Sequence, residues 1–179
     1  MRKFLTICFA LCLFRAASAQ QTIYSVMIDS ASGGAKIDFS SLQGKKILIV
    51  DLASQDSSFS QYSELQLLSQ QYQGSLYIIA IPTNSFGSEP GDSSSIISAY
   101  TQSGSGNVLV AARLSVAGAD ISGLYQWLTQ QSQNGVMDSE VKLPGYKYLI
   151  NTQGKLVGFF APRVRPLSDV MINSINNSQ

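Results

Sequence analysis

The sequence predicts an α/β domain in which helices flank a central mixed β-sheet. Two continuous apolar runs, residues 47–50 and 76–81, have the composition of strands that are buried on both faces. Between them, apolar residues recur at steps of three and four over residues 59–73, which is the spacing of an amphipathic helix. Near the C-terminus, two strand-like segments flank a polar turn at residues 151–154, which predicts an antiparallel hairpin. The sheet should therefore contain both parallel and antiparallel pairs.

The first half of the chain predicts an N-terminal hairpin followed by a strand–helix–strand unit. Residues 23–28 and 35–39 are rich in β-branched and aromatic side chains, and Gly33-Gly34 between them provides a turn. Strands 47–52 and 76–81 should be parallel neighbours, because a right-handed crossover is the favoured connection. The predicted apolar face of helix 59–73, which ends at Gly74, consists of Tyr62, Leu65, Leu68 and Tyr72.

The second half of the chain predicts shorter elements and a terminal helix. After a polar loop, the pattern predicts helices at 94–102, 120–132 and 167–175, and strands at 108–111, 146–150 and 156–160. A crossover unit followed by a hairpin and a last helix is the layout of a thioredoxin-like fold, here in one domain covering residues 20–179. The residues of the last helix that should face inward are Leu167, Val170, Met171 and Ile175.

Residues 1–19 have the pattern of a secretory signal peptide. Arg2 and Lys3 precede an apolar stretch at 4–14, and Ala17-Ser18-Ala19 provides the small residues of a cleavage site. The apolar stretch is too short to span a bilayer as a helix. We expect cleavage after Ala19, a secreted or periplasmic location, and no membrane association of the mature domain. The alternative is an uncleaved anchor that dips into the membrane.

Composition excludes several classes of function. Without the three basic residues of the leader, the chain keeps nine basic and 11 acidic side chains, a net charge of −2 that does not favour nucleic acid. Histidine is absent and both cysteines, Cys8 and Cys12, lie in the leader. A Ser-His-Asp triad and a zinc site with histidine or cysteine ligands are therefore excluded from the mature domain. No spaced cluster of acids indicates a calcium loop, so the sequence predicts no metal and no cofactor.

Four blocks of the sequence occur together in the order and spacing of one enzyme family. On these residues the chain resembles the glutathione peroxidases over about residues 23–175, which implies the thioredoxin-like fold. Family membership alone would also imply reduction of peroxides in the response to oxidative stress. The blocks are Leu52-Ala53-Ser54-Gln55 with Gln61-Tyr62; Pro82-Thr83-Asn84-Ser85-Phe86-Gly87 with Glu89-Pro90-Gly91; Leu124-Tyr125-Gln126-Trp127-Leu128; and Lys147-Tyr148-Leu149-Ile150 with Gly154-Lys155-Leu156-Val157, Pro162 and Pro166.

The resemblance also implies where the family's catalytic tetrad would lie, and all four positions are substituted. The redox-active cysteine or selenocysteine corresponds to Asp56, and the glutamine corresponds to Ser85. The tryptophan and the asparagine correspond to Leu143 and Pro144. Because a carboxylate cannot replace a thiolate as the atom that peroxide oxidises, we expect a divergent member without thiol peroxidase activity.

Two interpretations of the residues around position 56 remain open. Asp56 immediately precedes the predicted helix, where a carboxylate commonly caps backbone amides. The alternative is a ligand site that Asp56 shares with Ser85 and Phe86, with Arg163 and Arg165 flanking it and binding an anion. By default the two arginines are solvated loop charges and Phe86 is a core residue.

The site residues should converge although they are distant in sequence. Asp56, Ser85 and Pro144 each lie where a strand or turn reaches one edge of the predicted sheet, and we expect Asp56 and Ser85 within roughly 11 Å, two helical turns. The bond before Pro144 could be cis, as thioredoxins commonly have a cis proline before this strand, and this alternative is left open.

The sequence thus predicts an exported, non-catalytic binding or interaction protein whose partner is an unidentified protein or small molecule. The alternative is a peroxide-reducing oxidoreductase, as the family implies. A hydrolase that uses two carboxylates would need an acid facing Asp56. Glu89 in the facing loop is the better candidate for it, because Asp51 on the adjoining strand is expected to point elsewhere.

Overall fold

The computed structural model describes residues 21–87, 89, 92–102 and 107–179. The predicted leader and residues Ser88, Pro90 and Gly91 of the second family block lie outside the described residues. The strands are β1 Met27–Asp29, β2 Lys36–Asp38, β3 Lys46–Leu52, β4 Leu76–Pro82, β5 Val108–Val110, β6 Lys147–Ile150 and β7 Leu156–Phe160. The α-helices are α1 Tyr62–Gln71, α2 Ser93–Gln102, α3 Gly123–Thr129, α4 Gln131–Asn134 and α5 Asp169–Asn177, and 3-10 helices cover Ile23–Ser25, Phe39–Leu42 and Ser57–Gln61.

The central sheet is mixed, as predicted. Its strand order is β5-β4-β3-β6-β7, with β3, β4 and β5 parallel and β6 and β7 antiparallel to their neighbours. Strand β3 lies at the centre, where Ile47 pairs with Tyr77 on one side and Val50 pairs with Lys147 on the other. The sheet with helices on both faces confirms the predicted thioredoxin-like α/β fold.

Apolar side chains fill both faces of the sheet, so β3 is buried almost throughout. On one face, Tyr62 and Leu68 of α1 pack with Met171 and Ile175 of α5. On the other face, α3 contributes Leu124, Tyr125, Trp127 and Leu128. Burying each large apolar side chain contributes roughly 1.5–3 kcal/mol, which explains why these runs form central strands rather than surface segments.

The N-terminal hairpin is present but shorter than predicted. Strands β1 and β2 pair around Gly33 and Gly34, which both have positive φ. A bridge between Ser30 and Ala111 attaches this hairpin to the end of the sheet next to β5. The prediction that the first strand begins at Ile23 is wrong, because Ile23 starts a 3-10 helix and is fully buried.

The helices differ from the prediction at their ends. Helix 59–73 begins as the 3-10 helix Ser57–Gln61 and becomes α-helical at Tyr62. The predicted helix 120–132 is broken, because Gln130 has an extended backbone between α3 and α4. In the last helix Met171 and Ile175 are buried as expected, but Leu167 and Val170 are exposed.

The exposure of Leu167 and Val170 follows from where α5 begins. The Ser168 side chain accepts a hydrogen bond from Met171 N, so Leu167 lies outside the helix.

Within the described ranges, no helix is long and apolar enough to cross a membrane.

Candidate functional site

Asp56 caps the short helix that follows β3. Its carboxylate accepts a hydrogen bond from Ser58 N at 2.7 Å, and its own N–H donates to Ala53 O at 2.9 Å. The side chain is half-buried, and its backbone is extended immediately before the 3-10 helix Ser57–Gln61. The capping interpretation of Asp56 is thus realised, because the carboxylate satisfies an amide that has no partner within the helix.

Ser85 connects the loop after β4 to the loop after β5. Its hydroxyl accepts a hydrogen bond from Val116 N at 3.0 Å and lies 3.2 Å from Thr83 Oγ1 and 3.4 Å from Ser115 Oγ. Phe86 beside it is half-buried and packs against the core. Ser85 also lines an open cleft of about 480 Å³ with Asn84, Arg113, Leu114, Ser115, Ala117, Gly118 and Asp120.

Leu143 and Pro144 belong to the turn before β6. Leu143 is exposed and Pro144 is buried, and the bond between them is trans, because the described residues contain no cis peptide bond. Gly145 next to Pro144 has φ +107°, and a Cβ placed on it would lie 3.2 Å from Ser58 Cβ and 3.0 Å from Pro162 Cβ. The turn before β6 therefore packs directly against the start of the helix that Asp56 caps.

A buried carboxylate joins the loop of Asp56 to the loop that follows β4. Glu89 accepts a hydrogen bond from Ser54 N and is almost fully buried, and burial raises its pKa. The loops after β3 and β4 and the turn before β6 thus meet at one edge of the sheet. The separation of Asp56 and Ser85 themselves stays a prediction.

Four buried side-chain atoms at this edge lack a hydrogen-bond partner within the described protein. They are Ser58 Oγ, Gln61 Oε1, Glu89 Oε1 and the Tyr100 hydroxyl. Tyr100 reaches the edge through its ring, which packs edge-on against Phe59 and Tyr62 at centroid distances of 4.9 and 5.0 Å. Because buried polar atoms are normally hydrogen-bonded, these atoms are suited to contact water or a polar ligand.

A sequence model of glutathione peroxidases matches residues 23–129, well over half of the chain. The chain belongs to the glutathione peroxidase family. The match includes Asp56 and Ser85, whereas Leu143 and Pro144 lie beyond its end.

Similar proteins agree with this family assignment. A probable phospholipid hydroperoxide glutathione peroxidase of Mesembryanthemum crystallinum is 32% identical over 151 residues, 83% of this chain and 88% of that protein. The probable mitochondrial phospholipid hydroperoxide glutathione peroxidase 6 of Arabidopsis thaliana is 31% identical over 156 residues, and the match covers 86% of this chain and 66% of that protein.

Solved structures of the family share the fold. The structure of T. cruzi GPX1 superposes with a TM-score of 0.65 at 19% identity, covering 89% of this chain and 99% of that chain. The structure of Trgpx in its apo form gives a TM-score of 0.65 at 23% identity, covering 88% of this chain and 97% of that chain. Outside the family, the structure of MTB dsbF gives a TM-score of 0.58 at 10% identity, covering 87% of this chain and 96% of that chain.

Two buried charged residues, Asp51 and Lys147, hold the turn before β6, and the sequence pattern did not predict their burial. Asp51 is fully buried and accepts hydrogen bonds from Gly145 N at 2.8 Å, Tyr146 N at 3.2 Å and the Tyr125 hydroxyl at 3.4 Å. Burial raises the pKa of Asp51 to about 7, against the opposing effect of these hydrogen bonds. Asp51 is thus directed into the core, where these three donors hold it.

Lys147 holds the same turn from the opposite face of the sheet. Its ammonium group donates to Gly145 O at 2.7 Å and lies 3.5 Å from Pro162 O. The side chain is fully buried, and burial lowers its pKa to about 8 although the charge of Asp51 opposes this shift. Asp51 directly follows the apolar run at 47–50, and Lys147 lies within the predicted strand 146–150. A charged residue at such a position was the sequence signal that could have indicated a buried charge.

Arg163 and Arg165 lie on a separate groove. Arg165 donates to Glu64 Oε1 through Nε at 2.7 Å and also through Nη2, so its charge is already paired. The groove has a volume of about 560 Å³ and shares no lining residue with the cleft at Ser85. The structure does not bring the two arginines to that cleft. The groove is lined by Glu64, Arg163, Val164, Arg165, Leu167, Ser168 and Val170.

Proposed function

We propose that this member of the glutathione peroxidase family is an exported, non-catalytic binding protein that lacks thiol peroxidase activity. The observation that carries the proposal is the residue at the nucleophile position, Asp56, whose carboxylate is used as a helix cap. Residues 20–179 contain no cysteine, so a neighbouring thiol cannot replace the missing one. Peroxide reduction of the family's kind needs a sulfur or selenium atom that accepts oxygen and later releases it to a thiol.

The edge of the sheet around Asp56 supports a binding role. It combines a half-buried carboxylate, the buried Glu89 and unpartnered polar atoms of Ser58 and Gln61. These groups are hydrogen-bond acceptors or neutral hydroxyls, and they favour a ligand that carries donors. The proposed partner is an organic ligand or a protein segment that carries such donors.

A peroxidase assay on the mature protein tests the absence of activity. Hydrogen peroxide and an organic hydroperoxide would be offered with glutathione and, separately, with a thioredoxin system, next to a family member that keeps the cysteine. We expect consumption no faster than in protein-free buffer. Robust turnover by the unmutated chain after removal of trace metals would overturn the proposal and favour the family's peroxide-reducing function.

Two variants provide matched controls for the same assay. Asp56→Cys restores the reactive atom and should consume peroxide slowly, because Ser85, Leu143 and Pro144 leave the thiolate without the hydrogen bonds that stabilise it. Adding Ser85→Gln should increase that rate. If Asp56→Cys alone reaches the rate of the intact family member, the other three positions are not needed for the chemistry.

Fragment screening by NMR tests the binding role directly. Hits containing amine or amide donors should shift the amide signals of Ser54, Asp56, Ser58 and Glu89, and Asp56→Ala should weaken their binding. A screen whose hits all map elsewhere on the domain would contradict a ligand site at this edge.

A further inference from the structure

Helices α1 and α5 present exposed apolar side chains on the outer surface of their layer. Leu67, Leu167 and Val170 are 53%, 38% and 57% exposed, and Val164 between the helices is half-buried. The two helices lie side by side, because Glu64 accepts a hydrogen bond from Leu167 N at 3.4 Å and the Tyr72 hydroxyl donates to Asn176 Oδ1 at 2.8 Å. We call the surface formed by Val164, Leu167 and Val170, next to Glu64 of α1, the α1–α5 face.

This face carries one unpaired charge of each sign. Arg163 lines its groove, and Asp169 lies between the lining residues Ser168 and Val170. Both are exposed, and within the described residues neither has an ion-pair partner. Asp169 is favourably placed in the first turn of α5, and its side chain is exposed.

We propose that the α1–α5 face binds a second copy of this chain in a two-fold symmetric dimer. In such an interface the same patch occurs on both partners, so Arg163 of each copy can meet Asp169 of the other while Leu167 and Val170 pack at the centre. The opposite charges on one patch make it complementary to itself. An acidic segment or an anionic membrane would satisfy Arg163 but place negative charge next to Asp169 and Glu64, and a basic segment would be repelled by Arg163.

The dimer is independent of the proposed binding function. The groove of the α1–α5 face is lined by none of the groups proposed for binding, which are Asp56, Ser58, Gln61 and Glu89, so substitutions on the face leave those groups unaltered. Arg165 does not contribute a free charge, because Glu64 already binds its guanidinium group.

Sedimentation velocity on the mature protein tests the proposal over a range of concentrations up to about 1 mM, where even a weak dimer is populated. We expect a concentration-dependent shift from monomer to twice the monomer mass. Val170→Glu should weaken dimerisation at least about tenfold, because it places a charge in the apolar centre. Val136→Glu is the matched control, since Val136 is a similarly exposed valine outside this face, and it should leave dimerisation unchanged.

Charge reversal tests the predicted pairing without changing the apolar centre. Arg163→Asp and Asp169→Arg should each weaken dimerisation, and the double variant should restore it, because the opposite charges then meet again. Circular dichroism confirms that each variant is folded. A protein that stays monomeric at the highest concentration, or a double variant no better than the worse single variant, would overturn the proposal.

Discussion

Asp51 and Lys147 show how two buried charges can hold one turn from opposite faces of a sheet. Gly145 donates its N–H to Asp51 at 2.8 Å, and its carbonyl oxygen accepts a hydrogen bond from Lys147 at 2.7 Å. Strand pairing places Lys147 opposite Val50, so its side chain lies on the face away from Asp51. The turn before β6 is thus fixed at the edge where the Asp56 helix begins.

The two buried charges predict an unusual dependence of stability on pH. Burial raises the pKa of Asp51 from 3.8 to about 7, so the folded protein binds more protons than the unfolded chain between about pH 4 and pH 7. The free energy of unfolding should therefore fall as the pH rises through that window, by up to on the order of 4 kcal/mol for this group.

Asp51→Asn tests this contribution. An amide oxygen can still accept the Gly145 N–H but does not titrate, so the variant should lose most of the decline between pH 4 and pH 7. Urea denaturation at several pH values measures it, and Glu140→Gln, which alters an exposed acid, is the control. Identical pH profiles for the Asp51 variant and the unmutated protein would contradict a raised pKa.

Lys147 should produce the opposite trend at higher pH. Its pKa is lowered from 10.5 to about 8, so between about pH 8 and pH 10.5 the unfolded chain binds more protons and stability should rise with pH. Lys147→Met should remove that rise in urea denaturation measurements. A rise of the same size in the variant would show that another group causes it.

Removing the helix cap that Asp56 provides should lower the stability of the protein measurably. Asp56→Ala removes the acceptor for Ser58 N, and we expect a loss of roughly 0.5–2 kcal/mol in the free energy of unfolding. Asp56→Asn retains an oxygen acceptor and should cost less. Equal stability of the alanine variant and the unmutated protein would show that the cap contributes nothing.

At the scale of elements, the sequence pattern predicted the strands better than the helix ends. The runs at 47–50 and 76–81 are apolar throughout, and only an interior strand buries nearly every residue of such a run. The break at Gln130 has no glycine or proline to signal it. The hydrogen bond from Gln131 N to Asp138, seven residues later, is the kind of contact that a periodicity does not contain.

The candidate site was predictable to the same limited degree. Asp56 was visible because it stands at the start of a helix pattern and within a family motif. The burial of Asp51 and Lys147 was not predicted, because a charge is tolerated inside a protein only when distant residues supply partners. Here folding brings Gly145 to Asp51, 94 residues away in the sequence, and the carbonyl of Gly145 also accepts a hydrogen bond from Lys147.

The turn before β6 gives a prediction at this scale. Gly145→Ala would place a methyl group where φ is +107° and where Ser58 and Pro162 are in close contact. Gly44→Ala would place a methyl group where φ is +77° and no atom lies within 4 Å. Both should destabilise the protein by about 1–2 kcal/mol through the backbone alone. Gly145→Ala should cost roughly 1–3 kcal/mol more because of crowding, as measured by urea denaturation. Equal losses would show that the turn can move away.

At the scale of the whole molecule, two long-range hydrogen bonds hold the first described residues to the domain. The indole N–H of Trp127 donates to Gln21 O at 2.8 Å, and Ile23 N donates to Gly154 O at 3.1 Å. Cleavage after Ala19, which stays a prediction, would leave both of these hydrogen bonds in place.

This arrangement predicts how far the N-terminus can be shortened. Secreted protein should begin at Gln20 by N-terminal sequencing, and retention in the cell with Met1 intact would contradict export.

Deleting residues 20–22 as well should cost roughly 1–3 kcal/mol in the free energy of unfolding, because the buried indole N–H loses its acceptor. In a Trp127→Phe background that N–H is absent, so the same deletion should cost clearly less. An equal cost in both backgrounds would show that residues 20–22 stabilise the domain through contacts other than the one to Trp127.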